Sequence, residues 1–132
     1  MISWVEIPTV EFERAVKFYS DILQIDIQVY DLLGEKYGHI PNLIGIGCVL
    51  IYREGYLPKN GPIIFFKVDD ITSTLDIVDE AGGEVLQKKT IIKLQQEDGS
   101  MIIPKTLIDN KEGYYARFKD SEGNEMALHS NG

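Results

Sequence analysis

YYARFKDSEGNEMALHS, Tyr114 to Ser130, is the stretch on which the fold turns. A short strand ends at Phe118, the acidic segment Asp120-Ser121-Glu122-Gly123-Asn124 reverses the chain, and a second strand runs from Glu125 to His129. Asp, Ser, Gly and Asn favour such reversals because they tolerate or hydrogen-bond unusual backbone angles. Side chains alternate across a strand, so Tyr115 and Arg117 share one face, as do Ala127 and His129.

Working upstream, MIIPKTLI and VLQKKTIIKLQ flank the turn Glu97-Asp98-Gly99-Ser100, which predicts a hairpin. Pro104 places its second arm at a sheet edge. Before it, Glu84 to Ile92 reads as a strand, and Ile71 to Ala81 as a helix closed by Gly82-Gly83. Asp69 or Asp70 is the expected cap of that helix, and Ile63 to Val68 precedes it as a β-rich run.

The first half repeats this order. Ser3 to Pro8 alternates, with Val5 and Ile7 on one face and Trp4 and Glu6 on the other. Thr9 is the expected N-cap of a helix whose apolar stripe is Phe12, Ala15, Val16, Tyr19, Ile22 and Leu23. Strands are expected at Ile25 to Asp31, Lys36 to Ile40 and Gly47 to Arg53. Each half is therefore a βαβββ module: residues 1–54 form the first, 55–62 a Gly/Pro-rich linker, and 63–132 the second, with a hairpin insertion at about 92–104.

Composition narrows the function. A net charge of −8 disfavours nucleic acid and anionic membranes, which select clustered Lys and Arg. The longest apolar run, Ile40 to Tyr52, is too short for a membrane helix and contains Pro41 and two glycines. One cysteine, Cys48, excludes an internal disulfide and fits a reducing, cytoplasmic setting. No charged segment followed by an apolar run opens the chain, so no signal peptide is expected.

EIPTVEFERAVKFYSDIL near the start and FKDSEGNEMALHS near the end resemble the strand-helix opening and closing turn of the vicinal oxygen chelate superfamily, the glyoxalase/bleomycin-resistance/dioxygenase-like proteins. The resemblance spans the whole chain. It implies an α+β fold in which two βαβββ modules form curved, partly open mixed sheets around a concave cavity, helices outside. It also implies a homodimer. Metal-using members draw one ligand from each of four strands, and the corresponding positions here are Trp4, Leu50, Ile63 and Ala127. The fourth strand's register leaves Cys48 or Tyr52 as alternatives to Leu50. Trp, Leu, Ile and Ala side chains present no lone pair suited to a hard or borderline cation, so no metal and no other cofactor is expected.

The candidate ligand contacts are Trp4, Glu6, Leu50, Tyr52, Phe65, Lys67, Tyr115, Arg117 and His129. Arg117 and Lys67 offer cations to an anionic or planar ligand if their strand faces line the cavity, and snorkel to solvent otherwise. Glu6 and His129, each one strand repeat from a ligand position, read as ligand contacts or as rim residues. As an alternative they form a weak catalytic or substitute divalent-metal pair. His39 reads as a surface or rim residue, and Cys48 as a small core residue.

These observations converge on a cytoplasmic, metal-free small-molecule-binding protein, its ligand aromatic or carboxylate-bearing. Whether it is an enzyme stays open from sequence. The alternatives are a divalent-metal-dependent lyase or dioxygenase-like enzyme using Glu6 and His129, and a protein-interaction module presenting the 92–104 hairpin as an edge.

Overall fold

The alternating residues of the first strand form β1 (Trp4–Pro8), followed by α1 (Phe12–Leu23), β2 (Gln28–Leu32), β3 (Glu35–Ile40) and β4 (Gly47–Ile51). They belong to a computed structural model that describes residues 2–32, 34–41 and 46–132. Residues 42–45, within the apolar run from Ile40 to Tyr52, lie outside the described residues. The sheet order is β1-β4-β3-β2, with β1 parallel to β4 and the other neighbours antiparallel.

The second half has the same plan. It contains β5 (Phe65–Lys67), α2 (Ile71–Glu80), β6 (Glu84–Ile91), a small hairpin of β7 (Leu94–Gln95) and β8 (Met101–Ile102), then β9 (Tyr114–Lys119) and β10 (Glu125–Ser130). Its sheet order is β5-β10-β9-β6, with β5 parallel to β10. The fold is thus α+β: two helices and two open, mixed four-stranded sheets from two βαβββ modules.

The helices cover one face of each sheet. Ile7, Leu50, Phe18, Tyr19, Ile22, Phe118, Met126 and Leu128 share one buried cluster with Ile71 and Val78. This core joins the modules: the Phe18 and Phe118 rings lie 6.3 Å apart and those of Tyr19 and Phe66 5.7 Å. Among the described residues, β1 and β5 are edges of separate sheets.

Two local expectations change. Thr9 does not cap α1, because its hydroxyl donates to the carbonyl of Ile51 at 3.0 Å. The open N–H groups of Val10 and Glu11 instead donate to Glu122 Oε1 at 2.8 and 2.7 Å. The acidic turn of one module thus caps the helix of the other. The second strand starts three residues late, at Gln28, because Gln24 takes a left-handed conformation (φ 54°) and Ile25 donates back to Ser20. In α2, Asp70 is the cap, accepting from Ser73 N, and Gly82 takes φ 96° just past the helix end.

Candidate functional site

Pairing decides which side chains share the face opposite the helices. In the second sheet Ala127 pairs with Phe65 on one side and Arg117 on the other, and Arg117 pairs onward with Gln87. The next row is Lys67, His129, Tyr115 and Thr90. Phe65, Lys67, Tyr115, Arg117 and His129 therefore lie on one sheet face, while the intervening Phe66, Ala116 and Leu128 pack into the core. Ala127 is the small residue among larger ones.

Polar contacts on this face are uneven. Gln87 Nε2 donates to the Tyr115 hydroxyl at 2.8 Å, and Arg117 pairs with Glu125 through one terminal nitrogen. Lys67 is largely exposed, with Nζ 3.9 Å from Asp109. Among the described residues, the buried side-chain polar atoms without a protein partner are Arg117 Nε and both ring nitrogens of His129. His129 is 1% exposed, and its Nε2 stands 4.0 Å from Asp109 Oδ2. The Asn131 amide, helped by the Lys111 N–H, His129 and Lys67 against the effect of burial, holds the Asp109 carboxyl below its usual range.

In the first sheet Trp4 and Glu6 share the corresponding face. The Trp4 indole lies over Gly47, edge-on to Tyr37 with centroids 6.4 Å apart, and is half exposed. Its Nε1 donates to Glu6 Oε2 at 3.1 Å. Arg53 donates to the other Glu6 oxygen at 3.3 Å and to Glu35 at 3.1 Å. Glu6 is thus already engaged by an indole and a guanidinium. Trp4 touches Glu6, Tyr37 and Gly47, all in the first module, whereas Ala127 pairs with Phe65 and Arg117 in the second.

Leu50 corrects an expectation. It pairs with Ile7, is fully buried, and belongs to the core beneath α1, not to the face carrying Trp4 and Glu6. The β4 residue paired with Glu6 is Val49, which is equally buried and equally unable to hold a metal. Cys48 has the same parity as Leu50, and burial pushes its thiol up to about 11. Tyr52 lies just past β4 and lines a cleft of about 520 Å³ with Glu11, Arg14, Glu35 and Lys36. His39 pairs with Val49 and Gln28, on the Glu6 side of the sheet.

Ile63 lies two residues before Phe65, and both are apolar, as are Val49 and Ala127. Among the described residues no three His, Cys, Asp or Glu side chains gather into a cluster that could hold an ion. Trp4, Leu50, Ile63 and Ala127, the positions to which the resemblance points, carry no side chain able to ligate a divalent ion.

No protein-family model matches the chain. It is 28% identical to a glyoxylase-like domain-containing protein of Didymella fabae over 137 residues, covering 96% of this chain and 91% of that one. It superposes on a glyoxalase/bleomycin resistance protein/dioxygenase family enzyme of Burkholderia phytofirmans with a TM-score of 0.62 and 12% identity, covering 98% and 97% of the two chains. Glyoxalase I of Zea mays gives a TM-score of 0.66 at 17% identity, over 98% of this chain but 45% of the maize enzyme. The chain carries the vicinal oxygen chelate fold. Among the described residues no helix is long and apolar enough to cross a membrane.

Proposed function

We propose that this chain is a small-molecule-binding protein that holds an aromatic or carboxylate-bearing ligand on its concave sheet faces without the superfamily's metal. The observation that carries this reading is the pair of buried, unpartnered donors beside Ala127. Arg117 Nε is always protonated and His129 supplies at least one N–H, so both favour an acceptor from a ligand. Phe65, half exposed on the same row, offers a ring face. The protein would act as a cytoplasmic homodimer. Support comes from the half-exposed Trp4, Tyr30, Leu32 and Phe65, which a second copy would cover while bringing a first sheet against a second.

Titrating Trp4 fluorescence with benzoate and related carboxylates tests the reading. Saturable quenching is expected, weakened about tenfold in Arg117→Ala by loss of a charge-assisted contact. A flat response across the panel in the wild type would defeat it.

A lyase or dioxygenase-like enzyme with a divalent metal on Glu6 and His129 draws less support. Glu6 is engaged by Trp4 and Arg53, and the carboxylate nearest His129 is Asp109. The interaction-module reading rests on exposed Leu94, Met101 and Ile102 of the small hairpin.

A further inference from the structure

His129 is nearly inaccessible, yet among the described residues neither ring nitrogen has a hydrogen-bond partner. Burying such a group forfeits its hydration without compensation, so its cover must be held by other interactions. That cover includes residues 103–113, the segment between β8 and β9. Gly113 packs so closely that a Cβ there would fall 2.9 Å from His129 Nε2, and Asp109 approaches the same nitrogen.

The segment has a definite build. Thr106 N donates to Lys111 O and Asn110 N to Thr106 O, at 2.8 and 2.9 Å, closing a self-bonded turn. Asn110 takes φ 59°, which asparagine tolerates better than most residues. The ties from this turn to the sheet are polar. Asn131 Nδ2 donates to Asp109 Oδ2 at 2.8 Å and to Glu112 O at 3.0 Å, and Lys67 lies 3.9 Å from Asp109. Its apolar residues contribute little packing: Leu107 is fully exposed, and Ile103 and Ile108 are about half exposed. Thr106 and Gly113 are buried and Gly113 O accepts from Ile92 N at 3.0 Å, so the segment is anchored at its end. Between these points its ties are exposed polar bonds, which open at small cost.

We propose that residues 103–113 are a strap, latched by Asp109 and Asn131, that gates His129: closed, it seals the imidazole from the concave face, and open, it presents the ring to an acceptor-bearing anionic ligand also held by Arg117. The proposal rests on the binding reading for what the open strap admits. The latch stands on its own contacts.

The chain has two histidines, so acylation by diethyl pyrocarbonate reads His129 with His39 as an internal reference. Asn131→Ala removes both amide ties without changing charge. It is expected to raise His129 acylation about tenfold, the worth of roughly one hydrogen bond, with His39 unchanged. Asp109→Asn should raise it as well. Because the opening cost is then already met, Asn131→Ala should also bind benzoate several-fold more tightly, and adding His129→Ala should cancel that gain. Unchanged acylation in both latch variants overturns the strap, even where benzoate binds the wild type. Faster acylation with no tighter binding of benzoate that does bind overturns the gate. Benzoate failing to bind any variant overturns the concave-face reading, and with it the ligand assigned to the open strap.

Discussion

Tyr19 donates its buried hydroxyl to Asp120 at 2.6 Å, fastening the helix of the first module to the closing turn of the second. Asp120 also accepts from Glu122 N and Asn124 N at 2.8 Å and from the Asn124 side chain at 2.9 Å. Tyr19→Phe therefore removes one of four donors, and should lower stability by about 1–2 kcal/mol in denaturant titration. Burial first, and Asp120 second, raise the Tyr19 hydroxyl well above 10.0. A group raised on folding contributes below its unfolded value and loses that contribution as pH climbs past it. The stability gap between wild type and Tyr19→Phe should accordingly narrow above about pH 10. A gap that widens there would contradict the assignment.

Glu122 is the second tie between modules. Its buried carboxylate takes two backbone N–H groups at the start of α1 and the Arg14 guanidinium at 2.8 Å. Burial alone would raise its pKa, but Arg14, Glu11 N, Ser121 and Val10 N outweigh that and bring it below 4.5. A lowered carboxyl stabilises above the unfolded value and loses that contribution as pH falls through the folded one. Glu122→Gln should cost about 1–3 kcal/mol at neutral pH, from lost charge-assisted bonds. Chemical denaturation from pH 7 down to 3 should show the difference shrinking below about pH 4.5. An undiminished difference at acid pH would rule out the carboxylate's ionisation as its source.

Most of the architecture was legible because it rests on local signals. Alternation from Ser3 to Pro8 gave the correct faces for Val5, Ile7, Trp4 and Glu6, and the Asp70 cap and Gly82 marked both ends of α2. The shared sheet face was legible where strands alternate. Phe65, Lys67, Tyr115, Arg117 and His129 share one face as their parity requires. Legibility failed at Leu50 because Cys48-Val49-Leu50-Ile51 is apolar throughout and buried on both faces, so only pairing with β1 reveals its parity. The engagement of Glu6 by Arg53 and the capping of α1 by Glu122 were hidden for another reason. They join residues 47 and more than 100 positions apart.

The corrected parity of Leu50 has a direct consequence. Truncation to alanine empties core volume beneath α1 and leaves the concave face untouched. Leu50→Ala should cost about 2–5 kcal/mol by thermal or chemical unfolding. Below its melting temperature the variant should bind benzoate as the wild type does. Stability near wild type with weakened binding would return Leu50 to the cavity.

Gly47→Ala probes the face of the first sheet that carries Trp4. A Cβ there would lie 2.4 Å from the Trp4 ring, so the indole must move off the strand. Trp4 is half exposed and can swing outward, and alanine is no worse than glycine in an extended strand. Stability should therefore change by only about 0.5 kcal/mol. Moving the ring breaks its bond to Glu6 and removes an aromatic surface from the face, so benzoate affinity should fall about three- to tenfold. Acrylamide quenching of Trp4 should rise in the same variant. If quenching rises while benzoate affinity holds, Trp4 is not a ligand contact, and the site is confined to the second sheet around Ala127 and Arg117.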